Sequence, residues 1–94
     1  MLFTGTILGF RPFSGNGSRG PFHATELYVA RSNPDDGVVG QQIDRFAAFD
    51  NALGGYIPAV GHGVQYHLFY NNGKQQCGYV LHLPQLDIDF DDVT

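Results

Sequence analysis

At 94 residues the chain has room for one domain and one hydrophobic core. Charged residues are only 15% of it, against about 25% in ordinary globular domains, and its formal charge of −4 argues at first sight against a nucleic-acid partner, because phosphate binding normally needs a basic footprint. Thirteen glycines break every candidate helical stretch, at about 0.8–1 kcal/mol each relative to Ala, so strands and turns are expected.

In chain order, Leu2 to Phe10 (LFTGTILGF) mixes β-branched and aromatic residues with two glycines, the composition of a first strand that bends or coils. Pro12 is expected to end it, and Ser14 to Gly20 (SGNGSRG) reads as a flexible loop. Phe22 to Arg31 alternates as a second strand, with Leu27 and Val29 facing the core and Tyr28 pointing away beside Glu26. Ser32 to Gly37 (SNPDDG) is rich in turn formers and should join strands two and three. Val38 to Phe49 drifts in its alternation and fits a third strand with a bulge, or else a short helix. Asp50 to Gly63 is a Gly-rich connection whose Tyr56, Ile57 and Val60 are placed to plug the end of a barrel.

Asn72-Gly73 is the preferred pair of a type I′ turn, and the flanking segments Val64–Tyr70 and Gln75–Leu83 read as the last hairpin. Counting outward pairs Asn71 with Lys74, Phe69 with Gln76, Leu68 with Cys77, Tyr66 with Tyr79 and Val64 with Leu81. The core face is then Val64, Tyr66, Leu68, Cys77, Tyr79 and Leu81, with Phe69 and Val80 on the opposite, polar face. Pro84 closes the strand. Residues 1–85 are expected to form an all-β, five-stranded barrel of the OB type, and residues 86–94 a flexible acidic tail.

Charge counted by segment changes the meaning of the total. Asp87, Asp89, Asp91 and Asp92 lie in the tail, and the body balances five basic groups (Arg11, Arg19, Arg31, Arg45, Lys74) against five acidic ones (Glu26, Asp35, Asp36, Asp44, Asp50). The lone Cys77 has no disulfide partner within the chain, and no leader-like or membrane-length apolar stretch is present, so a cytoplasmic setting is expected. His23, His62, His67 and His82 form no HxH or HExxH motif, and no metal or cofactor is expected from their spacing. With no nucleophile motif in view, the chain reads as a binding protein and not an enzyme.

Aromatic and basic residues recur together: Arg19 with Phe22, Tyr28 with Arg31, Arg45 with Phe46, and Phe69 near Lys74. Single-stranded nucleic acid is held by such sets, with bases stacked on rings for about 1–3 kcal/mol each and cations along the backbone. Ser18-Arg19-Gly20-Pro21-Phe22, Leu27-Tyr28-Val29, Tyr56-Ile57-Pro58 and Leu81-His82-Leu83-Pro84 together resemble the small single-stranded-DNA-binding proteins of filamentous phages. That resemblance implies a homodimer serving replication of a phage, plasmid or mobile element, with Arg19, Phe22 and Phe69 as DNA contacts. The acidic end is similar to the tails of bacterial single-stranded-DNA-binding proteins, which recruit replication and repair proteins. By that likeness Asp87, Asp89, Phe90, Asp91 and Asp92 would bind partners, although the chain ends DFDDVT without the terminal Pro-Phe. The alternative is a protein-interaction or inhibitor module that docks onto a basic partner through its aromatics and acidic tail.

Overall fold

The computed structural model describes residues 1–89, so Phe90, Asp91 and Asp92 of the expected partner-binding tail lie outside the described residues. The elements are β1 (Leu2–Gly17), β2 (Gly20–Arg31), β3 (Ile43–Phe49), helix α1 (Asp50–Leu53), β4 (Gly63–Asn71), β5 (Lys74–His82) and a 3-10 turn (Pro84–Leu86). All five strands form one antiparallel sheet in the order β3-β2-β1-β4-β5. The expected all-β class is therefore observed. The barrel is not closed: among the described residues no backbone ladder joins β3 to β5. The two strands approach each other, and α1 packs against both with Ala52 and Leu53 buried, so side chains fill the seam. None of the described helices is long and apolar enough to cross a membrane.

The first hairpin is longer than the sequence suggests. Pro12 sits inside β1 opposite Thr25, and the segment expected as a loop continues the ladder to Gly17, opposite Gly20. Proline is tolerated there because β4 pairs only with Leu2 to Thr6, which leaves the distal half of β1 with a neighbour on one side. A register shift between Ile7 and Gly9 bulges the strand at Leu8. Ile7 thus stays in the core while Gly9, Arg11 and Phe13 come to the outer surface.

Residues 38–42, read as part of strand three, are not in a strand, and β3 begins at Ile43. Its interior side chains, Phe46 and Ala48, pack with Leu27, Val29, Ile7, Val64 and Tyr66 in one core, where Phe46 stacks on Tyr66 at 4.9 Å. The barrel plug expected of Ile57 and Val60 is not formed, since Ile57 is 82% and Val60 54% exposed. Ala52 and Leu53 close that side of the core instead, with Tyr56 packed partly against it.

Asn72 (φ 54°) and Gly73 (φ 77°) take the left-handed conformations that a type I′ turn requires. Pairing from the turn matches the counted register as far as Leu68 with Cys77. Beyond that point a bulge at Gly78 shifts it, so that His67 opposes Tyr79, Tyr66 opposes Val80 and Val64 opposes His82. Every β5 side chain beyond the bulge changes face, while Val64 and Tyr66 on β4 keep the expected core face. Val80 is buried and Leu81 is 50% exposed, the reverse of the expected assignment.

Candidate functional site

On the outer surface of β1, β2 and β3, cross-strand pairing lines up two adjoining groups of residues. Ala24 lies opposite both Phe13 and Phe49, and Phe22 lies opposite Gly15. Their rings form a T-shaped series, Phe13 to Phe22 at 6.2 Å and Phe22 to Phe49 at 5.6 Å. Edge-to-face contact satisfies the rings' quadrupoles while leaving ring surface turned outward. Phe49 is 41% exposed. Arg19, at the tip of the β1–β2 turn, lines a groove of about 720 Å³ with Phe22, Phe49, His23, Asp50 and Asn51.

Further along the same face Glu26 lies opposite Arg11 and Ala47, and Tyr28 opposite Gly9 and Arg45. Glu26 takes Arg45 Nε at 3.1 Å and Arg11 at 3.3 Å, and accepts a short hydrogen bond from the Tyr28 hydroxyl. That hydrogen bond, ahead of the two guanidiniums, holds the Glu26 carboxyl below its usual range and pushes the Tyr28 phenol up. Arg45 lies 5.9 Å from the centre of the Tyr28 ring. Two guanidiniums against one carboxylate leave this end of the face with an excess positive charge.

Two of the residues expected to contact nucleic acid serve the interior. Phe46 is 5% exposed and its ring is stacked in the core, which leaves no face for a base. Arg31 donates Nε and Nη2 to the two oxygens of Asp44 at 2.9 and 2.8 Å and Nη1 to Asp35 at 2.9 Å, and stacks 4.0 Å over the Phe3 ring. With its side chain 9% exposed, Arg31 has its charge committed within the protein. Arg19 and Phe22 are brought together in one groove, and Tyr28 and Arg45 adjoin on the same face.

Phe69 and Lys74 belong to the other wing of the sheet. Phe69 is 40% exposed and leans on His67 (5.4 Å), which in turn stacks on Tyr79 (5.9 Å). Gly78 provides the floor, because a Cβ there would lie 2.7 Å from His67 Cδ2. Lys74 is exposed at the hairpin tip, opposite Asn71.

Phe13 and Phe49 are surface aromatics that no local sequence pattern marks. The missing signal was register: only after Pro12 is placed inside β1 do Phe13 and Phe49 fall on either side of Ala24. A second cluster without a local pattern lies at the end of β5. There His62 and His82 stack at 4.1 Å, Tyr56 Oη meets His62 Nδ1 at 2.7 Å, and His82 Nε2 meets Asp87 at 3.0 Å. Asp87, counted with the tail, also accepts the Gly63 amide at 2.8 Å, which holds its carboxyl below the usual range. No linear motif links these residues. Comparisons with protein families, curated proteins and solved structures return no match to this chain.

Proposed function

We propose that the protein binds single-stranded DNA across the outer face of β1, β2 and β3, in the replication of a phage, plasmid or mobile element. The observation that carries this reading is the Phe13–Phe22–Phe49 series opening onto the Arg19 groove. Bases stack on such rings whatever their sequence, while Arg19, Arg11 and Arg45 follow the phosphates. The strand order, with β3 and β5 brought near each other, fits a partly open five-stranded OB barrel, a frequent scaffold for oligonucleotides. Phe69 with Lys74 on the β4–β5 wing would extend the path, and the acidic end beyond Asp89 would compete for the same cations or engage a partner protein.

The cation inventory sets an expected salt dependence. With Arg31 paired, Arg11, Arg19, Arg45 and Lys74 remain, and Glu26 offsets part of the first and third. At about −0.7 per phosphate contacted, the slope of log K against log salt should lie between about −1.5 and −3. A fluorescence-anisotropy titration with labelled oligothymidine at two salt concentrations measures it. Micromolar or tighter binding is expected, weakened about 5- to 100-fold by Phe22→Ala or Phe49→Ala in keeping with one lost stack. Absence of binding at low salt overturns the proposal and favours a module for basic protein partners.

A further inference from the structure

Three potential metal ligands from separate stretches of chain meet beside the start of β4. His62 precedes β4, His82 ends β5, and Asp87 follows the Pro84–Leu86 turn. One ligand atom from each lies within 4.8 Å of the other two. We propose that His62, His82 and Asp87 bind a divalent transition metal ion, by donor chemistry Zn²⁺, which fastens the C-terminal segment to the body of the sheet.

Two imidazoles and one carboxylate form a donor set that zinc accepts, with a fourth position left for water. Calcium and magnesium prefer oxygen ligands throughout. The surroundings supply two of the three ligands, His62 and Asp87, with the outer partners that such ligands need. Tyr56 Oη holds Nδ1 of His62 at 2.7 Å, so Nε2 is the atom left to ligate. A hydrogen bond to the other ring nitrogen is the usual device that fixes a ligating imidazole. The Gly63 amide fixes the Asp87 carboxylate in the same manner at 2.8 Å. Both imidazoles are half-buried, and among the described residues no Lys or Arg is paired with Asp87 in competition with a cation.

Metal binding requires movement. Ligand atoms of a tetrahedral site with 2.0–2.1 Å bonds lie about 3.3 Å apart, so atoms now spread over as much as 4.8 Å must draw together. The two rings, now within 14° of parallel, must also splay, because lone pairs of parallel rings do not converge. The consequence reaches beyond the site. Leu83 N–H to Gly63 O (2.8 Å) and Ile88 N–H to Gly61 O (2.7 Å) already bind residues 83–88 to 61–63. With the Gly63 N–H to Asp87 bond that makes three fastenings, and a metal bridging His62 to Asp87 would add a fourth, making the position of residues 87–89 depend on metal occupancy.

The experiment uses the full chain, stripped with a chelator and titrated with zinc chloride by calorimetry, together with the visible absorption of a cobalt(II) derivative. One ion per chain is expected, with a cobalt spectrum of low coordination number. His62→Ala and His82→Ala should abolish binding, Tyr56→Phe should weaken it about 10- to 100-fold as loss of an outer-shell partner does, and His23→Ala, His67→Ala and Cys77→Ser should leave it unchanged. Asp87→Asn keeps an oxygen for the Gly63 amide and should still lose most of the affinity. Should a histidine variant fail to fold, proton NMR of the native chain decides, since zinc must shift the ring signals of His62 and His82 and leave those of His23 and His67 in place. No binding at micromolar zinc, binding that survives the His62 and His82 substitutions, or shifts at the other histidines overturns the proposal.

Discussion

The Tyr66 hydroxyl donates to Asp44 Oδ2 at 2.5 Å, on the same oxygen that receives Arg31 Nε at 2.9 Å. Tyr66 crosses the core to reach it, its ring stacked on Phe46 and tilted against Phe3. One carboxylate thus joins β2, β3 and β4 at the rim of the core, and the Tyr66 phenol is pushed well above its usual value by burial and by Asp44.

Removing either partner of Asp44 should destabilise the fold without changing nucleic-acid affinity. Tyr66→Phe deletes a hydrogen bond to a charged group, at a cost of about 1.5–3 kcal/mol. Arg31→Ala leaves a carboxylate 11% exposed without its main partner, at a cost of about 3–5 kcal/mol, and exposes the Phe3 ring. Urea unfolding measures both changes. Oligothymidine titrations on the folded fraction of Arg31→Ala should match those of the native chain, and a clear loss of affinity would return Arg31 to the interface.

Glu26 is the residue that restrains the positive charge of the outer face. Glu26→Gln keeps an acceptor for Tyr28 and releases Arg11 and Arg45, so binding of a single strand should tighten and the salt slope steepen by about 0.7, one additional phosphate. Acid should act in the same direction. Because folding holds this carboxyl below its ordinary value of 4.5, the stability it contributes is complete above 4.5 and lost only as pH falls through that lower value. Oligonucleotide affinity of the native chain should rise over that same range, and rise by less in Glu26→Gln, which keeps only the carboxylates of the groove and the acidic end for acid to neutralise, provided the fold, followed by circular dichroism, persists.

Local chemistry was legible in the sequence where it acts over a few residues. Asn72-Gly73 located the last turn and four residues of register on each side, because the left-handed pair leaves the backbone little choice. Leu27 and Val29 were recognisable as core from alternation alone. What failed depends on neighbours distant in sequence. The bulge at Gly78 has no signature beyond one glycine, yet it reverses the faces of Val80 and Leu81. Pro12 breaks a strand only if that strand has partners on both sides, and β4 ends its pairing at Thr6. Phe46 and Arg31 look like surface candidates until Tyr66, about 20 residues or more away in the chain, is placed between them. Asp87 was assigned to a solvated tail because its partners, Gly63 and His82, meet it only after β4 and β5 pair.

Cys77 should be a slow nucleophile. It lies half-buried against the core opposite Leu68, its Sγ 3.5 Å from the Tyr79 carbonyl, and burial pushes its thiol up to about 11. Only the thiolate reacts, so at pH 8 the native chain should be alkylated by iodoacetamide more than tenfold more slowly than the urea-unfolded chain, whose cysteine titrates near 8.5. Equal rates would place the thiol in solvent.

Where the C-terminus is cut should decide whether the body or only its end is affected. Truncation after Asp89 removes residues 90–94, Asp91 and Asp92 among them, and none of the hydrogen bonds of Asp87 and Ile88, so the melting temperature should hold while single-strand binding tightens if the acidic end competes for the outer face. Truncation after Leu86 also removes the Asp87 carboxylate from the Gly63 amide and from His82, and the Ile88 amide from the Gly61 carbonyl. Three such losses amount to about 1.5–4.5 kcal/mol, and about 4–8 °C in melting temperature follows for each kcal/mol in a domain of this size. Gly63→Ala probes the same docking without a cut. Its Cβ would lie 2.8 Å from the Leu86 carbonyl carbon, so the Pro84–Leu86 turn must lift from β4. This variant should therefore melt like the chain cut after Leu86, with amide exchange accelerated at Leu83 and Ile88, whose amides are bonded to Gly63 and Gly61, while the β2–β3 ladder stays protected. A variant that melts with the native chain would show that residues 84–88 add nothing to the stability of the sheet.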